Sequence, residues 1–132
     1  VPVADFSADV GEVVPADGLI ATVDYPGVLA AYSDRPVLAL DGLTGDFALQ
    51  DDLRDLGAGC ALRERGVTWL VVDDGDRLLP LGPDEADGWQ VEVTSWLHRV
   101  QAGYLVLTPQ DRVLLDPATG LSLWRVDPVC DR

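Results

Sequence analysis

Four carboxylates stand where apolar runs stop: Asp24 after Ile20 to Val23, Asp41 after Val37 to Leu40, and Asp73 and Asp74 after Val67 to Val72. Short apolar runs rich in β-branched residues and closed by Asp, Gly or Pro read as strands. In an open α/β sheet, ligands bind at the carboxyl ends of the parallel strands. Carboxylates that neighbouring strands bring together there can hold Ca²⁺ or Mg²⁺, or accept hydrogen bonds from sugar hydroxyls. Asp also favours strand-end turns and helix caps for purely local reasons. The alternative is therefore four unconnected turns.

Aromatic and basic side chains divide in the same way. Arg35, in the Ser33-Asp34-Arg35-Pro36 break, is placed to pair with Asp41 or Asp24, with Tyr32 covering the edge of the core. The functional alternative sets both in a carbohydrate-facing groove, a ring against a sugar face and carboxylates on its hydroxyls. Trp69 and Trp124 lie in apolar runs and read as packing. Trp96 falls on the polar side of the alternating run Trp89 to Leu97, with Gln90, Glu92 and Thr94, and is the better exposed platform.

Other reactive groups lack the company that chemistry needs. Asp73-Asp74-Gly75-Asp76 has neither the alternating acidic spacing nor the distal Glu of a Ca²⁺ loop. His98 is the one histidine and has no Cys or His at metal spacing. Ser33 and Ser95 are outside any Gly-x-Ser-x-Gly elbow, and no Gly-rich phosphate loop follows the first strand. The residues thus assign no catalytic group, no metal ligands and no cofactor.

The elements that must position these groups follow from periodicity. Val3, Phe6, Val10 and Val13 recur at helical spacing, so residues 1–15 predict an amphipathic entry helix. Leu19 to Leu43 reads as strand, Pro26-Gly27 turn, short helix and strand, a βαβ unit and hence a parallel pair. Thr44 or Asp46 can cap a following helix on Leu49, Leu53, Leu56 and Cys60, split by Gly57 and Gly59. Val67 to Val72 is a third parallel strand. Beyond it, Trp89 to Leu97, Tyr104 to Leu107, Val113 to Leu115 and Leu121 to Val126 predict antiparallel strands, with residues 108–112 as a hairpin loop. The expected fold class is α/β: a single domain over residues 1–132, whose mixed sheet has a parallel βαβαβ half covered by helices and an antiparallel C-terminal meander.

The stretch VPADGLIATVD, then PGVLAAYSDRPVLALDGLTGD, a helix pair and GVTWLVVDD resembles the segment that follows the last transmembrane helices of bacterial polytopic glycosyltransferases of the GT-C class. These are relatives of protein mannosyltransferases and lipid-linked arabinosyltransferases. The matching positions are Gly27, Tyr32, Ser33, Arg35, Asp41, Gly42, Leu43 and the strand 67–72, and the closing Leu123 to Val126 resembles the family's final strand. The match covers roughly residues 15–73 well and the rest weakly. It implies an extracytoplasmic accessory domain of a membrane enzyme that uses a polyprenyl-phosphate-linked sugar, with the catalytic acids in the upstream membrane part. Its implied partners are that upstream transmembrane domain and a glycan or lipid-linked acceptor. The candidate ligand-binding set is then Asp24, Gly27, Tyr32, Arg35, Asp41, Gly42, Asp73, Asp74 and Trp96. A free-standing binding module and a metal-dependent hydrolase using the strand-end carboxylates are the rival readings.

Bulk properties bound these choices. The 132 residues are 48% hydrophobic with a formal charge of −14, spread along the whole chain. Such a surface repels phosphate backbones and anionic headgroups, which argues against nucleic acid and polybasic membrane contact. No apolar run reaches the ~20 residues that span a bilayer. The lack of any Met predicts that Val1 is not a translation start and that the chain continues upstream. Cys60 and Cys130 form no metal motif. They are a disulfide if the domain faces an oxidising space, or buried thiols otherwise.

Overall fold

The computed structural model describes residues 1–41 and 46–131. Helix α1 (Pro2–Val13) opens with Pro in its first turn, where the missing N–H has no helical acceptor to lose, and buries Phe6 and Val10. Then come β1 (Leu19–Thr22), α2 (Pro26–Ser33) and β2 (Val37–Ala39). Asp46 caps α3 (Phe47–Leu56), accepting from the Leu49 amide at 3.0 Å. The alternative cap Thr44 lies outside the described residues. Gly57, at φ 86°, separates α3 from α4 (Ala58–Glu64), as the sequence predicts. Next are β3 (Val67–Asp73), the single turn α5 (Asp74–Arg77) and β4 (Leu78–Pro80), the last a short strand that no periodicity marks. The strands β5 (Trp89–Ser95), β6 (Val100–Leu107), β7 (Arg112–Leu115) and β8 (Leu121–Arg125) complete the chain.

The fold is α/β with a mixed sheet. Five strands lie in the order β2-β1-β3-β8-β7. β1 is parallel to β2 and β3, while β8 runs antiparallel to both β3 and β7. The C-terminal strands do not form one meander on this sheet, however. β4, β5 and β6 form a separate three-stranded antiparallel sheet. Residues 108–112 are accordingly no hairpin loop: a 3-10 turn at Pro109–Asp111 carries the chain from β6 in one sheet to β7 in the other. Alternation identifies which residues face inward and says nothing about which strand lies alongside.

Two cores follow from the two faces of the five-stranded sheet. One face carries Ile20, Trp69, Val71, Leu121 and Leu123 against Phe6 and Val10 of α1 and Leu29 of α2. The other carries Ala21, Leu70, Val72 and Trp124, covered by Leu49, Leu53 and Leu62 of α3 and α4 and by Val91, Val93, Leu105 and Leu107 of the second sheet. Arg112 seals the far side of this second core. Its guanidinium stacks on Trp124 and Trp89, 4.6 and 5.2 Å from the ring centroids, and pairs with Asp74 at 2.6 Å.

A disulfide joins Cys60 in α4 to Cys130 in the C-terminal tail. Gly59 makes room for that tail, since a Cβ there would overlap the Val129 carbonyl oxygen. The bridge closes a 70-residue separation, so the chain-entropy argument assigns it about 4 kcal/mol. Replacing both cysteines by Ser is expected to lower the unfolding free energy by about that amount at unchanged fold, measured by guanidinium titration with far-UV circular dichroism. A loss near zero would mean that the tail contributes nothing to the stability of the folded state.

Candidate functional site

The chain leaves β1 to β2 on one side and returns to β3 on the other, so its strand order reverses at β1. Such a switch point opens a crevice at the carboxyl ends of the strands. The crevice is bridged by Arg77, just beyond β3, whose Nη2 lies 3.4 Å from Oδ1 of Asp24, just beyond β1. The contact is a single one: Asp24 Oδ2 and Arg77 Nε are buried with no partner among the described residues. The turn between β5 and β6 overhangs this edge. Together they enclose a groove of about 840 Å³ lined by Val23, Asp41, Arg77, Thr94, Trp96, Leu97 and Arg99. A smaller recess of about 250 Å³ shares Val23, Arg77, Thr94 and Trp96 and continues to Glu92 and Leu79.

A buried amide sets the geometry of the overhang. Gln50 of α3 is fully buried, and its Nε2 donates to the Leu40 carbonyl, next to Asp41, at 3.1 Å. Its Oε1 accepts from the Leu97 amide at 3.3 Å, and the Ser95 hydroxyl is shared between Gln50 O at 3.0 Å and Gln50 Oε1 at 3.3 Å. Ser95 and Leu97 flank Trp96, so one side chain fixes both walls of the groove. His98 adds a second clamp, with Nε2 2.6 Å from Asp51 and Nδ1 3.2 Å from Arg54, both on α3. The Arg54 guanidinium is held above its ordinary pKa, chiefly by its hydrogen bond to Asp55, with desolvation opposing and the charges of Asp55 and Asp51 adding to the rise. Arg99 takes φ 57° in this turn, a conformation that costs a non-glycine residue roughly 1–2 kcal/mol.

The candidates from sequence separate into three groups. Asp41 and Trp96 line the groove, Trp96 at 51% exposure, while Asp24 stands behind it and reaches it only through Arg77. Asp73 and Asp74 do not join them. Asp73 accepts from the Gly75 amide at 2.9 Å as the cap of α5, and Asp74 is held by Arg112 and the Ser122 hydroxyl. Gly27, Tyr32 and Arg35 sit elsewhere. Gly27 is exposed in the first turn of α2, where an added Cβ would meet nothing, and Tyr32 is exposed further along the same helix. Gly42 lies outside the described residues.

Arg35 requires a correction. It pairs with neither Asp24 nor Asp41, because it precedes β2 and those carboxylates follow the strands at the opposite edge of the sheet. Its Nε and Nη2 donate instead to the carbonyls of Val14 and Gly11, both at 2.8 Å, satisfying the open end of α1. Sequence reasoning also passed over Arg77, Thr94, Arg99 and Gln50. Only Gln50 left a usable signal: a polar residue beside Leu49 and three before Leu53, inside the buried arc of its helix.

Among the described residues no three His, Cys, Asp or Glu side chains are grouped to hold a metal ion. The strand-end carboxylates therefore do not form the cluster that a metal-dependent hydrolase would need. The groove instead offers an aromatic face, a carboxylate acceptor at Asp41, guanidinium donors at Arg77 and Arg99 and a hydroxyl at Thr94. Convergent donors and acceptors around one apolar platform suit a hydroxyl-rich ligand.

No family model matches the chain, and the comparison with curated proteins gave no match. Among solved structures it is similar to the C-terminal globular domain of an oligosaccharyltransferase from Archaeoglobus fulgidus, with 14% identity over 93% of each chain and a TM-score of 0.43.

Two substitutions separate positioning from packing. Gln50→Ala removes a buried amide and leaves the Leu40 carbonyl without its donor, so it is expected to lower stability by about 2–4 kcal/mol and to broaden the Trp96 indole signal in NMR spectra. Arg35→Ala uncovers two helix carbonyls far from the groove. It should cost about 1–3 kcal/mol in denaturant titrations while the Trp96 signal stays in place.

Proposed function

We propose that this chain is the extracytoplasmic accessory domain of a membrane glycosyltransferase that uses a polyprenyl-phosphate-linked sugar, and that it positions acceptor or glycan without carrying the catalytic groups. The observation that carries this reading is the groove itself, which Trp96 lines together with Asp41, Arg77 and Arg99. An aromatic face packs on the C–H face of a pyranose while a carboxylate and guanidinium groups engage its hydroxyls. The resemblance of residues 15–73 to the post-membrane segment of GT-C enzymes supports the link to glycosyl transfer.

The Cys60–Cys130 bridge suits an oxidising, extracytoplasmic space. Among the described residues no helix is long and apolar enough to cross a membrane. The partner in this reading is the enzyme's own transmembrane domain. With a charge of −14, neither nucleic acid nor an anionic lipid surface is a favourable second partner.

The test is a saccharide titration followed by two-dimensional NMR. Neutral monosaccharides are expected to shift Asp41, Arg77, Thr94, Trp96 and Arg99 selectively. Trp96→Ala should weaken binding by about tenfold or more, equivalent to ~1.4 kcal/mol, with an unchanged circular dichroism spectrum. The encoding reading frame should carry several membrane spans upstream of Val1. A short upstream region without spans would remove the link to glycosyl transfer.

A further inference from the structure

The groove does not end at Trp96. Its smaller recess runs onto Glu92 and Leu79, which belong to the outward face of the three-stranded sheet. On that face Gln90 is paired with Val106, Glu92 with Tyr104 and Thr94 with Gln101. Directly opposed residues of an antiparallel pair share a face. Gln101 and Tyr104, three positions apart, would ordinarily point to opposite sides. An irregularity between Val93 and Thr94 shifts the partner from Gly103 to Gln101, skipping Ala102, and returns Gln101 to the outer face. There its Nε2 donates to the Tyr104 hydroxyl at 2.8 Å. The Tyr104 ring is thereby fixed while remaining 42% exposed.

We infer that this open face is a second saccharide subsite, with Tyr104 as its aromatic platform, so that the site takes a neutral glycan of at least three units rather than one terminal sugar. The inference rests on the saccharide reading of the groove. Glu92, opposite Tyr104, lies four residues before Trp96, which places the two platforms roughly 13 Å apart along the strand direction. One pyranose cannot touch both. Between them stand Glu92, Thr94 and Gln101, a carboxylate, a hydroxyl and an amide, which are partners for sugar hydroxyls. The polar middle of the face interrupts the apolar centre that a protein interface would need.

The experiment titrates the protein with manno-, malto- and cello-oligosaccharides of one to six units by calorimetry. For the series that binds, affinity is expected to rise at least tenfold between one and four units. Tyr104→Ala should abolish that rise and leave the monosaccharide affinity within about twofold, whereas Trp96→Ala should weaken every length. Tyr104→Phe keeps the ring and should retain most of the rise. Melting curves confirm that each variant is folded. Binding that does not change with chain length, yet is lost in Trp96→Ala, overturns the second subsite and leaves the groove reading standing. No binding in any series overturns both. A dimer in sedimentation that Tyr104→Ala dissociates would assign the face to self-association and also overturn the inference.

Discussion

The amide of Gln50 is the constraint on which the grooved edge of the sheet depends. Apolar burial presses the second sheet and the α3–α4 layer onto the five-stranded sheet, but that force has no direction and tolerates sliding. The directional component comes from a side chain with zero exposure that reaches Leu40 at the end of β2 and Ser95 and Leu97 around the β5–β6 turn. A buried amide that finds its partners in one arrangement only penalises every other arrangement by the desolvation of those partners. The distance between Asp41 and Trp96 is thus set by hydrogen bonds, as a preformed binding groove requires.

Cation placement in so acidic a chain points to the same edge. There are nine Arg and no Lys against 23 acidic residues. Most arginines have a local structural duty: Arg35 on the carbonyls of α1, Arg65 on Asp52, Arg63 on Asp127, Arg112 between two Trp rings and Asp74, and Arg125 over Trp69. Arg77 and Arg99 both line a groove that also carries the exposed Trp96. Arg77 meets Asp24 through a single 3.4 Å contact, with buried atoms of both side chains unpaired among the described residues. An arrangement built for stability alone would close that pair in a bidentate fork.

The parallel half of the fold was legible because its signals are local. Apolar runs closed by Asp, a Pro-Gly turn and helical spacing with glycine breaks fix β1, α2, β2, α3, α4 and β3 within a few positions. The C-terminal strands were legible as strands and not as neighbours. β6 and β7 are consecutive in the chain yet belong to different sheets, a choice made by long-range packing that no period records. At the candidate groove, the polar side of the alternating run anticipated the exposure of Trp96, and the strand-end rule anticipated the position of Asp41 beside it. The same rule overreached at Asp73 and Asp74, because a cap and an Arg112 pair use those carboxylates locally. Arg77 was illegible, since its partner lies 53 positions away and nothing near it in sequence announces the contact.

The turn that carries Trp96 holds several features that folding alone disfavours. Trp96, Leu97 and Val100 are 51, 46 and 43% exposed, and Arg99 holds a left-handed backbone. Each leaves apolar surface in water or stores strain, and each is maintained by contacts that α3 supplies through Gln50, Asp51 and Arg54. A β-hairpin tip need not carry any of these, since Asn-Gly or Gly-rich turns join strands without strain. The sheet beneath adds an irregularity that turns Gln101 outward beside Tyr104. Rigid support under exposed aromatic side chains lowers the ordering entropy that any ligand binding there would otherwise cost.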